Sequence, residues 1–145
     1  MGKYYHIICQ NKACGYDFEA REGPGMFLFR RIREMEDDIR SGNRDASKEI
    51  IDLLKTGHEI DCVATYLCPT CREWTTKRDP YILGKIHVSP FGTIRKYKVH
   101  YINEPPKCEK CGTELRFILN PRSSKNRCPK CGSNNMRIGS CGFYD

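Results

Sequence analysis

Residues 107–132 read KCEKCGTELRFILNPRSSKNRCPKCG. Two Cys-x-x-Cys pairs, Cys108/Cys111 and Cys128/Cys131, stand sixteen residues apart, and each is followed by glycine. Each pair closes a tight turn that offers two sulfurs, and the intervening loop returns the chain, which is what a tetrahedral zinc ion requires. The glycines suit turns that need a positive φ or a close approach of backbone to metal. Pro129 stiffens the second knuckle.

Working outward, two more cysteine pairs appear. Cys9 and Cys14 form a looser Cys-x4-Cys knuckle, and Cys68-Pro69-Thr70-Cys71 a tight one. Cys14-Gly15-Tyr16-Asp17-Phe18 leads into an alternating stretch, as Cys111-Gly112-Thr113-Glu114-Leu115 does, and both halves close on Cys-Pro-x-Cys. Read as a diverged internal repeat, the chain pairs Cys9, Cys14, Cys68 and Cys71 in one site. Cys108, Cys111, Cys128 and Cys131 form the other. A crossed arrangement of the four knuckles stays open on spacing alone.

Composition agrees with a metal-stapled fold. The 145 residues are 30% charged and 39% hydrophobic, with ten cysteines, so the apolar core is thin and a staple is needed. MGKYYHIICQ lacks an apolar signal core and no stretch is long enough to span a bilayer, so a cytoplasmic, reducing location is expected, where cysteines bind metal rather than form disulfides. The formal charge is +7; eight zinc thiolates and two Zn2+ would reduce it to about +3. Residues 1–65 carry 10 Lys and Arg against 12 Asp and Glu, and residues 66–145 carry 15 against 6. One end is basic, which suits an anionic partner.

Between the knuckles of the first half lies an insertion. After Gly23-Pro24-Gly25, the residues Leu28, Ile32, Met35 and Ile39 recur at helical spacing, and Ser41-Gly42-Asn43 stops that helix. A second helix is expected from an Asp45 N-cap, with Ala46, Ile50, Leu53 and Leu54 on one face and Gly57 as its stop. The two make a helical hairpin over about 26–56. Arg30, Arg31 and Arg33 early in the first helix, with Glu36, Asp37 and Asp38 late, oppose the helix dipole; they read as solvated charge, or the arginines as residues held by a partner. Tyr81–Val88 and Thr93–Ile102 read as a β-hairpin over about 81–102 around Ser89-Pro90-Phe91-Gly92. Its second strand alternates: Arg95, Tyr97, Val99 and Tyr101 on one face, Lys96, Lys98 and His100 on the other. Pro105-Pro106 is a stiff joint.

Residues 108–139 resemble the zinc-ribbon class of transcription and translation factors, and Cys128–Gly139 resembles the second knuckle of nickel-hydrogenase maturation metallochaperones. The nickel function of that family is not implied, because its Met-His-Glu start is replaced here by Met1-Gly2-Lys3. Cys14-Gly15-Tyr16-Asp17-Phe18 is similar to rubredoxin, an iron electron carrier. Over most of its length the chain resembles small uncharacterised bacterial proteins with two zinc ribbons; their shared pattern here is Cys14-Gly15-Tyr16, the Gly-x-Gly turn, the helical insert, Leu67-Cys68 and the Tyr144-Asp145 tail. That resemblance implies two zinc ribbons and no particular activity.

The fold class expected is therefore a small metal-stabilised α+β protein, with two zinc ribbons of short antiparallel strands. Residues 1–104 would form the first ribbon, carrying the helical hairpin, and 105–145 the second. Two Zn2+ per chain are expected in structural four-cysteine sites, since four thiolates leave no position for a catalytic water. His6, His58, His87 and His100 are scattered, and no phosphate-binding loop occurs, so no enzyme and no small-molecule substrate is expected. Cys62 and Cys141 read as unligated, or as a replacement ligand or an oxidation-sensing pair. The preferred function is a nucleic-acid-binding module using Arg95, Lys96, Tyr97, Lys98, His100 and Tyr101, with a basic loop of Arg122, Lys125, Arg127 and Lys130. The alternatives are a protein-interaction adaptor docking through the helical hairpin and a rubredoxin-like iron redox protein. No membrane partner is expected.

Overall fold

A computed structural model describes residues 2–145. In chain order the elements are β1 (Gly2–Cys9), β2 (Asp17–Glu22), α1 (Met26–Ser41), α2 (Lys48–Lys55), β3 (Ile60–Asp61), β4 (Ala64–Cys68), β5 (Glu73–Lys77), β6 (Tyr81–Val88), β7 (Ile94–Tyr101), β8 (Arg116–Ile118) and β9 (Met136–Tyr144). This is a small α+β protein whose short strands pair antiparallel.

Three sheets of three strands form, in the orders β2-β1-β9, β3-β6-β7 and β5-β4-β8. Three buried clusters lie within and between them. Alternation along β1 buries Tyr5 and Ile7, which meet Ala20 of β2 and Trp74 of β5. Tyr66, Tyr81 and Leu115 fill the middle core. The helical hairpin buries Ile32, Ile39, Ile50 and Leu54 against Ile60, Val63 and Ile82. The stripes expected on both helices are thus the faces that pack, with Leu28, Met35, Ala46 and Leu53 partly buried beside them.

The helix ends follow local chemistry. Ser47, not Asp45, caps α2: its hydroxyl accepts the Ile50 N–H at 3.3 Å, satisfying one of the free first-turn donors. Gly42 closes α1 with φ +80 and donates its N–H to Ile39 O at 3.2 Å. The dipole-opposing Glu36 is not solvated charge. It is buried, and its carboxylate accepts the Ile60 N–H at 2.7 Å, tying α1 to β3.

The C-terminal part does not fold on its own strands. β9 lies along β1, in register from Gly2↔Tyr144 to Cys9↔Met136, and β8 pairs with β4. The boundary expected at residue 105 is therefore crossed by two of the three sheets.

Candidate metal centres and basic surface

Strand pairing brings the knuckles together. Cys9 ends β1 and the Cys128–Cys131 turn enters β9, so the first and last knuckles are neighbours, joined by the Gln10 N–H to Asn135 O at 2.9 Å. Cys68 ends β4 and the Cys108–Cys111 turn enters β8, which pairs with β4. The sulfurs of Cys9, Cys14, Cys128 and Cys131 form one group, and those of Cys68, Cys71, Cys108 and Cys111 the other, each lying within 4.8 Å of one another. This corrects the sequential pairing that the internal repeat favoured. The repeat is a property of single knuckles, whereas the partner of each knuckle is set by the strand beside it.

The turns share one design. The N–H groups of Gly112 and Gly132 reach back to the carbonyls of Cys108 and Cys128 at 2.8 and 2.9 Å, with φ +75 at both glycines. The third Cys-x-x-Cys turn has Arg72 in the same place, at φ +56, its N–H 2.9 Å from Cys68 O.

Sulfur spacing tests whether a metal fits. A tetrahedral ion with metal–sulfur bonds of about 2.3 Å sets sulfurs ~3.8 Å apart. Across the knuckles Cys9–Cys131 stands at 3.7 Å, Cys14–Cys128 at 3.8 Å, Cys68–Cys111 at 3.5 Å and Cys71–Cys108 at 3.9 Å. The thiols are also unequal. Burial pushes Cys9 up to about 12, and Cys71 reaches about 12 through its hydrogen bond with Cys111 and its burial. Cys111 falls to about 6 beside Thr113, and Cys131 to about 7 on the Ser133 N–H. Without a cation, ionising one sulfur opposes ionising its neighbours; a divalent ion lets all four ionise together. Both groups fit a metal ion.

A carboxylate lies between the centres. Glu73, two residues past Cys71, takes Lys110 Nζ on Oε2 at 2.6 Å and Lys130 Nζ on Oε1 at 2.8 Å. Lys110 sits inside one knuckle and Lys130 inside another, so Glu73 bridges the two groups; Lys110 first and Lys130 second hold its carboxyl down at about 2. Lys130 Nζ also reaches Cys71 O at 3.4 Å. Tyr16, beside Cys14, accepts the Trp74 N–H at 2.9 Å.

The residues expected to contact nucleic acid do not form one surface. The Tyr97 ring meets Phe117 edge-on at 5.9 Å, and Tyr101 packs on the middle core. These rings face inward. Lys98 Nζ and His100 Nδ1 both reach Glu49 Oε1, at 3.2 and 3.3 Å. Arg122 pairs with Glu22 at 3.2 Å and lies 4.4 Å over the Tyr5 ring, while Lys130 serves Glu73. Arg95, Lys96, Lys125 and Arg127 remain exposed without an ion pair among the described residues. Cys62 is buried and Cys141 exposed, and neither belongs to a four-sulfur group.

Fold and sites together define a small α+β protein with two four-cysteine groups able to hold metal ions. No protein-family model, no curated protein and no solved structure matches the chain. No helix among the described residues is long and apolar enough to cross a membrane.

Proposed function

We propose that both groups hold Zn2+ in a structural role, in zinc-ribbon-like turns, and that the protein is a non-catalytic binding module for nucleic acid. The cross-knuckle sulfur distances of 3.5–3.9 Å carry the metal assignment. Four thiolates complete the shell of each ion, and the ions replace the oil that this thin-cored chain lacks. The charge layout supports the partner: no Asp or Glu occurs from Pro80 to Asn103, a segment that carries Lys85, Arg95, Lys96 and Lys98.

Two measurements test this. Metal analysis of the purified protein gives two zinc per chain and no colour; a red protein containing iron would establish the redox alternative instead. Titration with single- and double-stranded DNA and RNA gives binding that weakens log-linearly with salt. Absence of binding at low salt removes the nucleic-acid role.

One observation favours a protein adaptor as the second reading. At the start of α1, Met26, Phe27 and Phe29 are 70%, 73% and 50% exposed. Arg31 lies 5.9 Å over Phe27, and Arg33 lies 5.3 Å over Phe29. Placing charge on this apolar end with Phe27→Glu and Phe29→Glu abolishes co-purification of a protein partner if the adaptor reading holds, and leaves that co-purification unchanged if it does not.

A further inference from the structure

The hairpin β6–β7 changes character along its length. β3 pairs only with Tyr81 and Ile82, so beyond Leu83 the two strands continue as a ribbon with no third strand among the described residues. Tyr81, Ile82 and Gly84 are buried at its base, whereas Lys85, Ile86, His87 and Val88 are all exposed. Three apolar side chains stand in solvent on this outer part: Ile86 58% exposed, Val88 44% and Phe91 95%. The tip is nonetheless closed by hydrogen bonds. Ser89 donates its N–H to Thr93 O at 2.8 Å and its hydroxyl accepts the Thr93 N–H at 3.0 Å. Gly92, at φ +79, donates to Ser89 O at 2.9 Å. The turn thus holds Pro90-Phe91 outermost.

Charge points to what this arm meets. Lys85 stands on one strand, Arg95 and Lys96 on the other, and none forms an ion pair among the described residues. At the tip end of the arm, Gly92–Ile94 face the Asn120–Lys125 loop across a cleft of about 720 Å³, so Arg122 and Lys125 lie on its opposite wall.

Resting on the nucleic-acid reading above, we infer that the β6–β7 arm is the docking element and that its occupant is duplex DNA, with Phe91 inserted as a wedge between base pairs. Strands in such a ribbon are about 5 Å apart, and a two-stranded ribbon is a known shape for reading B-form grooves. Cations on both strands match phosphates on both sides of a groove. An apolar ring at a stiff tip unstacks a base step and bends the duplex, which opens the minor groove around the ribbon. A-form RNA has a wide, shallow minor groove, whose phosphates stand too far apart to meet the cations of both strands.

The test uses the full-length, metal-loaded protein with a duplex of about 25 base pairs labelled at both ends. Wild type binds duplex DNA more tightly than A-form RNA of the same sequence and shortens the end-to-end distance read by energy transfer. Phe91→Ala weakens binding about tenfold and abolishes the shortening. Lys85→Gln, Arg95→Gln and Lys96→Gln together lower the slope of log K against log salt by about 2.7. All four side chains are exposed, so both variants keep the wild-type metal content and thermal transition. If duplex binding persists with affinity, slope and bending unchanged in both variants, the arm is overturned while the nucleic-acid reading survives. If no nucleic acid binds at low salt, both fall. If the arm instead drives binding to phosphatidylserine vesicles and not to DNA, its occupant is a membrane and the inference is overturned.

Discussion

At the scale of single residues, the turns around the cysteines show what this chain cannot do freely. Arg72 occupies a left-handed position that glycine fills after Cys111 and Cys131. A side chain there costs roughly 1 kcal/mol or more. Arg72→Gly is therefore expected to leave the metal content unchanged and raise thermal stability by about 0.5–1 kcal/mol, read as a shift in the midpoint of unfolding. Glu73 is the opposite case, an exposed-looking residue with a specific task. Its carboxyl titrates near 2 in the fold against an ordinary 4.5, because Lys110 and Lys130 grip it. A depressed carboxyl stabilises the fold above pH 4.5, and that contribution is lost as pH falls towards 2. The carbon-13 shift of the Glu73 carboxyl should stay in its ionised position at pH 4, where most other glutamates are partly protonated. Glu73→Gln should hasten metal release to a chelator from both groups. Faster release from one group alone would show that it does not bridge them.

At the scale of elements, legibility depended on whether the signal was local. The faces of both helices and the hairpin around Ser89–Gly92 could be read because a period of 3.6 or 2 is written in neighbouring residues. β9 could not. Met136–Tyr144 contains Gly139 and Gly142, which weaken any strand reading, and the compensation comes from the other end of the sequence. A Cβ on Gly142 would meet the Tyr4 ring at 2.6 Å, and Tyr4 lies directly across from Gly142; the Tyr144 ring covers Gly2 in the same manner. Rings laid over glycines pin β9 to β1. Gly142→Val should cost about 1–3 kcal/mol by overpacking, and amide exchange in β9 should rise more than in β4 and β5. Uniform exchange across the three sheets would place the strain elsewhere. The Glu36 link is equally non-local: Glu36→Ala strands the Ile60 N–H without its acceptor, for about 1–3 kcal/mol, in a residue whose sequence position suggested only surface charge.

At the scale of the whole molecule, the missed strand and the wrong cysteine pairing are one error. The eight ligand candidates and their division into two fours were legible, because knuckle spacing is local. Their grouping was not, because it follows from β1 meeting β9 and β4 meeting β8. The two groups are nested: Cys9 and Cys14 close with Cys128 and Cys131 around everything else, and Cys68 and Cys71 close with Cys108 and Cys111 inside. Nesting makes a prediction that sequential pairing reverses. In Cys9→Ser with Cys128→Ser, both losses fall on the outer group, so one tightly held metal per chain should remain in the inner group. In Cys9→Ser with Cys68→Ser, each group loses a ligand and no intact four-sulfur site survives. Sequential pairing would give one metal to the second variant and none to the first, so competition with a chromophoric chelator separates the two outright. The same logic governs truncation: a fragment of residues 1–104 lacks β8, β9 and half the ligands of both groups. It should neither retain metal nor show a cooperative unfolding transition, whereas a folded, one-metal fragment would mean that the knuckles pair along the chain after all.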